Sequence, residues 1–141
     1  MYHKIPILIE LTRLNRPIGI YLLLWPTISA LFVASEGLPS FSLLLIFLAG
    51  TIVMRSAGCC INDFADQAID GGVKRTETRP LVSGALKRSE ALVCFGILSG
   101  LGFILVLFTN TETIFVSMFS ISIIVLYPVS YTHLTLPTTR C

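Results

Sequence analysis

Residues 38–54 read LPSFSLLLIFLAGTIVM, and residues 55–72 continue RSAGCCINDFADQAIDGG. The first part carries no charge and has the length of a membrane span, roughly 17 to 25 residues. The second keeps helical spacing but fills with three acids, two amides and one arginine. An apolar helix that runs on into such a segment is a spanning element with a chemically equipped end.

Three more apolar stretches flank it: Pro17 to Ser35, Ala91 to Thr109 and Thr113 to Val129, while 38–54 itself extends in weaker form to Ile61. Of 141 residues, 54% are hydrophobic and 13% charged, and the mean hydropathy is +0.84. That is too little polar side chain to cover a soluble domain. No ten-residue alternation points to a barrel, and lone strands cannot satisfy their backbone in lipid, so helix is the spanning element. The expectation is an all-α, polytopic membrane protein with about four transmembrane helices in the lipid bilayer. Pro26 should kink the first of them. Gly50, Gly58, Gly96, Gly100 and Gly102 should permit close helix contact, with Gly96 to Gly100 forming a GxxxG.

A net charge of +2 falls far short of the basic surface that phosphate-backbone binding needs, which excludes nucleic acid as a partner. Cys59, Cys60, Cys94 and Cys141 show no CxxC spacing and read as small apolar residues. The first dozen residues carry neither a short apolar core with a cleavage site nor an Arg-rich transit pattern, so no removable targeting segment is expected.

Asn62 to Glu90 holds more than half of the chain's charges. Lys4, Arg13 and Arg16 precede the first span and five basic residues lie in 62–90, whereas the connections around Glu36 and at Asn110 to Thr113 contain no Lys or Arg. By the positive-inside rule the N-terminus and the acid-rich loop face the cytoplasm.

At about 100° per residue, Asn62, Asp63, Asp66 and Asp70 share a sector of roughly 100°, with Arg55 two turns deeper. Like charges on one helix face repel and call for a counter-ion. Oxygen donors without His or Cys favour a hard cation, and Mg²⁺ takes one or two carboxylates and completes its shell with water and substrate phosphate. Lys74, Arg75 and Arg79 follow in a turn-rich segment and would neutralise the remaining charge of a diphosphate. Three chemistries meet this description: prenyl transfer, phosphoalcohol transfer and lipid phosphate hydrolysis. The CDP-alcohol phosphotransferase pattern fails, because Asp70-Gly71 is followed by Gly-Val-Lys-Arg. A non-catalytic small membrane protein that binds divalent cations is the alternative from another class, although a transporter would place its carboxylates nearer the bilayer midplane.

The pattern Asn62-Asp63-x-x-Asp66-x-x-x-Asp70, followed by Lys74-Arg75-Thr76 and Arg79-Pro80-Leu-x-Ser-Gly84, resembles the first aspartate-rich motif of the UbiA superfamily of intramembrane prenyltransferases. Leu11-Thr-Arg13-Leu-Asn15-Arg16-Pro17-Ile-Gly19, continuing to Leu24-Trp25-Pro26-Thr27, is similar to its 4-hydroxybenzoate polyprenyltransferase branch. The resemblance implies a bundle of nine spans, of which residues 1–128 would supply about four. It implies Mg²⁺-dependent transfer from polyprenyl diphosphate to the ring of 4-hydroxybenzoate or a related aromatic acid, a step towards ubiquinone, in a bacterial inner membrane. Asn62, Asp63, Asp66 and Asp70 would hold the metal, with Asp66, Asp70 and Tyr127 serving catalysis. Arg13, Asn15, Arg16, Arg55, Lys74, Arg75 and Arg79 would bind substrate. Another aromatic or quinone-precursor acceptor is the alternative within the family.

Two departures stand out. No second acidic cluster follows Asp70, where the family carries one in a later loop. After Tyr127-Pro128 the family pattern is lost, so residues 129–141 read as an atypical, non-native tail without helix signal and the chain as an incomplete portion of a longer enzyme, inactive by itself.

Overall fold

A computed structural model describes residues 4–70 and 79–133. It contains five helices, α1 (Ile5–Leu11), α2 (Ile18–Ala34), α3 (Phe41–Asp70), α4 (Arg88–Leu107) and α5 (Thr111–His133), and no strand among the described residues. The four apolar stretches become α2 to α5. The acid-rich segment continues α3 without a break, as the spacing of Asn62, Asp66 and Asp70 required.

Two helices, Phe41–Gln67 and Arg88–Leu107, are long and apolar enough to cross a membrane. The apolar helix Ile18–Ala34 and the stretch Thr111–Ile123 are shorter. At 1.5 Å per residue the 17 residues of α2 span about 25 Å and the 30 of α3 about 45 Å. The added length of α3 is its charged end, which α1 and the loop before α4 cover. Many large apolar side chains, among them Trp25, Val33, Phe108 and Phe115, are exposed. Such a surface suits lipid and not water.

α3 is the hub, packing chiefly against α4 and also touching α1, α2 and α5. Its last turns carry distinct stripes. Cys60, Phe64 and Gln67 face α4 and the preceding loop: Cys60 joins Leu11, Leu81, Leu86 and Ala91 in a buried cluster, and the Gln67 amide donates to the Leu81 carbonyl at 2.9 Å. This cluster fixes the 79–87 loop and α1 against the end of α3. α4 begins where the Glu90 carboxylate accepts the Lys87 backbone N–H at 2.9 Å, and Glu90 also pairs with Lys4 of the opening turn. Arg88 lies over the Phe64 ring with 4.5 Å to its centroid.

α1 was not foreseen, and two expectations, the non-helical tail and the glycine contacts, are corrected. α1 is a separate helix, too short for its periodicity to register. α5 runs on to His133, so residues 130–133 are helical; Tyr131 to His133 contain no breaker. Among the glycines expected at helix contacts, only Gly102 makes one: a Cβ there would lie 2.6 Å from the Met54 sulfur of α3. Gly50, Gly58, Gly96 and Gly100 have nothing within 4 Å of such an atom, because the GxxxG lies on the exposed side of α4. α2 continues through Pro26 as one helix.

Gly102→Val should therefore destabilise the chain by about 1–3 kcal/mol through overpacking, seen as a lower unfolding midpoint in detergent. Gly100→Val, in open space and at equal helix-propensity cost, should leave the α3–α4 contact intact and the midpoint higher than in Gly102→Val.

Candidate functional site

α1 ends in a left-handed turn. The Leu14 N–H reaches the Ile9 carbonyl at 3.1 Å and the Arg13 N–H reaches that of Glu10 at 3.1 Å, the paired bonds of a Schellman motif. Its left-handed position, which glycine usually takes, is occupied by Arg13 with φ 55°. An L-residue costs about 1–2 kcal/mol there. The turn aims the guanidinium at α3, where Arg13 donates to Asp63 Oδ1 at 2.6 Å. Arg79, held beside the buried Pro80 and Leu81, donates to the same oxygen at 3.2 Å. The Asp63 side chain is only 3% exposed, so the two cations replace the water it has lost.

One turn back on the same stripe, Cys59 accepts from Arg55 at 2.9 Å. A thiol is a weak acceptor, and Arg55 keeps further donors. Its guanidinium lies against the backbone of α2: a Cβ on Gly19 would sit 2.8 Å from one of its nitrogens. Gly19 is thus a notch that admits the Arg55 head.

Between these groups lies a pocket of about 410 Å³, lined by Glu10, Arg13, Asn15, Arg16, Ile18, Gly19, Arg55, Asp63, Arg79 and Pro80. Four guanidiniums face two carboxylates, an excess of two positive charges. Among the described residues neither Arg16 nor Arg55 is in an ion pair. Such a chamber suits an anion with several oxygens.

Five of the expected substrate-binding residues, Arg13, Asn15, Arg16, Arg55 and Arg79, meet in this one pocket. Lys74 and Arg75 lie outside the described residues, as do the side chains of Asp70 and Tyr127. Glu10 and Gly19 were missed as pocket residues, though Gly19 stands in the Arg16-Pro17-Ile18-Gly19 sequence. Asp63 and Asp66 have different partners. Asp63 turns to the arginines, while Asn62 donates to Asp66 at 2.8 Å on the neighbouring stripe. That bond leaves the Asn62 carbonyl and carboxylate oxygen of Asp66 one helical turn apart, a hard-oxygen pair of the kind Mg²⁺ accepts alongside water and phosphate. No group of three or more His, Cys, Asp or Glu residues able to hold a metal is present among the described residues.

The family model of the UbiA prenyltransferase family matches residues 23–140. The chain is 55% identical over 120 residues to a 4-hydroxybenzoate octaprenyltransferase of Pseudomonas syringae pv. tomato, covering 85% of the chain and 40% of that protein. It is 54% identical over 134 residues to the 4-hydroxybenzoate octaprenyltransferase of Hahella chejuensis, covering 95% and 45%. The chain therefore spans less than half the length of these curated relatives. No solved structure matches it significantly.

Loss of Asp63 should leave two guanidiniums facing each other. Asp63→Ala is expected to destabilise the chain by about 3 kcal/mol or more, measured by SDS titration in mixed micelles. Arg13→Gly should cost less, because it relieves the left-handed strain and leaves Arg79 on Asp63; equal losses would contradict this account.

Proposed function

Since the chain belongs to the UbiA prenyltransferase family, we propose that it forms the diphosphate-binding end of a membrane enzyme that moves a polyprenyl group from polyprenyl diphosphate to 4-hydroxybenzoate. The observation that carries this reading is the arginine-lined pocket closed by Asp63, one helical stripe away from the Asn62–Asp66 pair. The relatives' names point to the same acceptor. The product would be a 3-polyprenyl-4-hydroxybenzoate, a precursor of ubiquinone. We place the site on the cytoplasmic side of a bacterial inner membrane, following the excess of Lys and Arg at that end.

When the allylic C1–oxygen bond ionises, negative charge grows on the departing diphosphate. Cations already in place lower the barrier most at that point, since they need no reorganisation during reaction. Arg55 and Arg16, in no ion pair among the described residues, bind the anionic oxygens. Arg13 and Arg79 contribute from fixed positions, because Asp63 holds both. Asp63 acts in this reading as the anchor of two arginines and not as a direct metal ligand. Asn62 and Asp66, with Asp70 a turn further, would hold a Mg²⁺ ion, which supplies charge neutralisation on the diphosphate. Lys74 and Arg75 would close over the anion, and Tyr127 would offer its ring to the allylic cation.

A cation-binding protein without catalytic function leaves the same pocket without a role, since its positive excess suits an anion. The test is Asp66→Ala in the full-length enzyme in native membranes, assayed for Mg²⁺-dependent transfer to 4-hydroxybenzoate. Turnover should fall on the order of 100-fold or more, with Arg55→Ala lowering it comparably. Wild-type turnover in Asp66→Ala would remove the metal assignment, and wild-type turnover in both would remove the function.

A further inference from the structure

Cys60 and Cys94 are 34 positions apart and share no motif, yet their sulfurs lie 3.7 Å from each other across the α3–α4 interface, with the Cys60 thiol donating. Cys60 is fully buried in the cluster with Leu11, Leu81, Leu86 and Ala91. Cys94 is half-buried and lines a second cavity of about 470 Å³ between α1 and α4, whose walls are apolar at Leu8, Leu86, Val93, Ile97 and Leu98, with Ser89 and the paired Lys4 and Glu90 completing its lining. Cys59, the neighbour of Cys60, points to the other stripe and is engaged by Arg55. The backbones of α3 and α4 are held close a little deeper, where Gly102 abuts Met54.

We propose that Cys60 and Cys94 form an oxidisable dithiol, a site of reversible disulfide formation driven by an apolar organic hydroperoxide that enters through the cavity beside Cys94. An S–S bond measures about 2.05 Å, so the sulfurs, now 3.7 Å apart, must approach by roughly 1.7 Å. The exposed partner reacts first. The Cys94 sulfur attacks the terminal peroxide oxygen, the O–O bond breaks, and the alcohol departs with a proton, leaving Cys94 as a sulfenic acid. The Cys60 sulfur then attacks the Cys94 sulfur, the S–O bond breaks, and water leaves with the Cys60 proton. Two thiols and one hydroperoxide give one disulfide, one alcohol and one water; the dithiol loses two electrons and the peroxide gains them. The apolar walls select a hydroperoxide of hydrocarbon character, such as an oxidised acyl chain of the surrounding lipid.

The test uses the full-length protein in lipid nanodiscs treated with cumene hydroperoxide, followed by alkylation, proteolysis and mass spectrometry. A linked Cys60–Cys94 peptide is expected that dithiothreitol removes. It should persist in Cys59→Ser and be absent from Cys60→Ser, in which Cys94 should instead be trapped as sulfenic acid by dimedone. Full alkylation of both thiols in the oxidised wild type, or a linkage of Cys94 to Cys59, would overturn the proposal. The wild-type measurement decides it even if a substituted chain fails to fold.

Discussion

A carboxylate that is 3% exposed at the end of a membrane helix persists as an anion only if cations come to it, and Asp63 draws them from both directions along the chain. Arg13 arrives from the turn after α1, and Arg79 from the loop before α4. Both end on one oxygen of the same residue. This three-way pairing does more than offset the desolvation of Asp63. It brings the N-terminal segment and the α3–α4 connection to a common point, and the pocket is the space between them. Arg13 and Arg79 are therefore positioned by folding and not by ligand.

The rest of the described bundle is held differently. Its buried apolar cluster is small and lies at the charged end, around Leu11, Cys60 and Leu81. Along the spans most large side chains face outward. In lipid these exposures carry no penalty, and helix contact relies on close approach, as where Gly102 seats Met54. Polar organisation is thus concentrated at one end of α3, where packing is also tightest.

What the sequence made legible follows from what a linear pattern encodes. Apolar run length gave the four long helices, and the 100° periodicity placed Asn62, Asp63 and Asp66 on one side of α3. It could not divide that side. Asn62 and Asp63 stand at opposite edges of the same sector, and only the arrival of Arg13 and Arg79 assigns one edge to ion pairing and leaves the other to the Asn62–Asp66 bond. Arg13 was recognisable as a basic residue near the site, but its left-handed backbone was not, since glycine is the usual sign of such a turn. The GxxxG at Gly96 and Gly100 misled because spacing marks a face without saying what packs on it. Gly102, outside that motif, makes the contact. The Cys60–Cys94 proximity is tertiary and has no local trace at all.

Gly19 sits at the start of a helix about 25 Å long, and Arg55 lies well inside one of about 45 Å. The hydrocarbon layer is about 30 Å thick, and a short span answers a thicker or thinner one by changing tilt or thinning the lipid around it. Tilt of α2 slides its first turn along α3, and the notch that seats the Arg55 head moves with it. The position of a cation in the pocket is in this way coupled to hydrophobic mismatch, so acyl-chain length in the host membrane becomes a physical variable of the site.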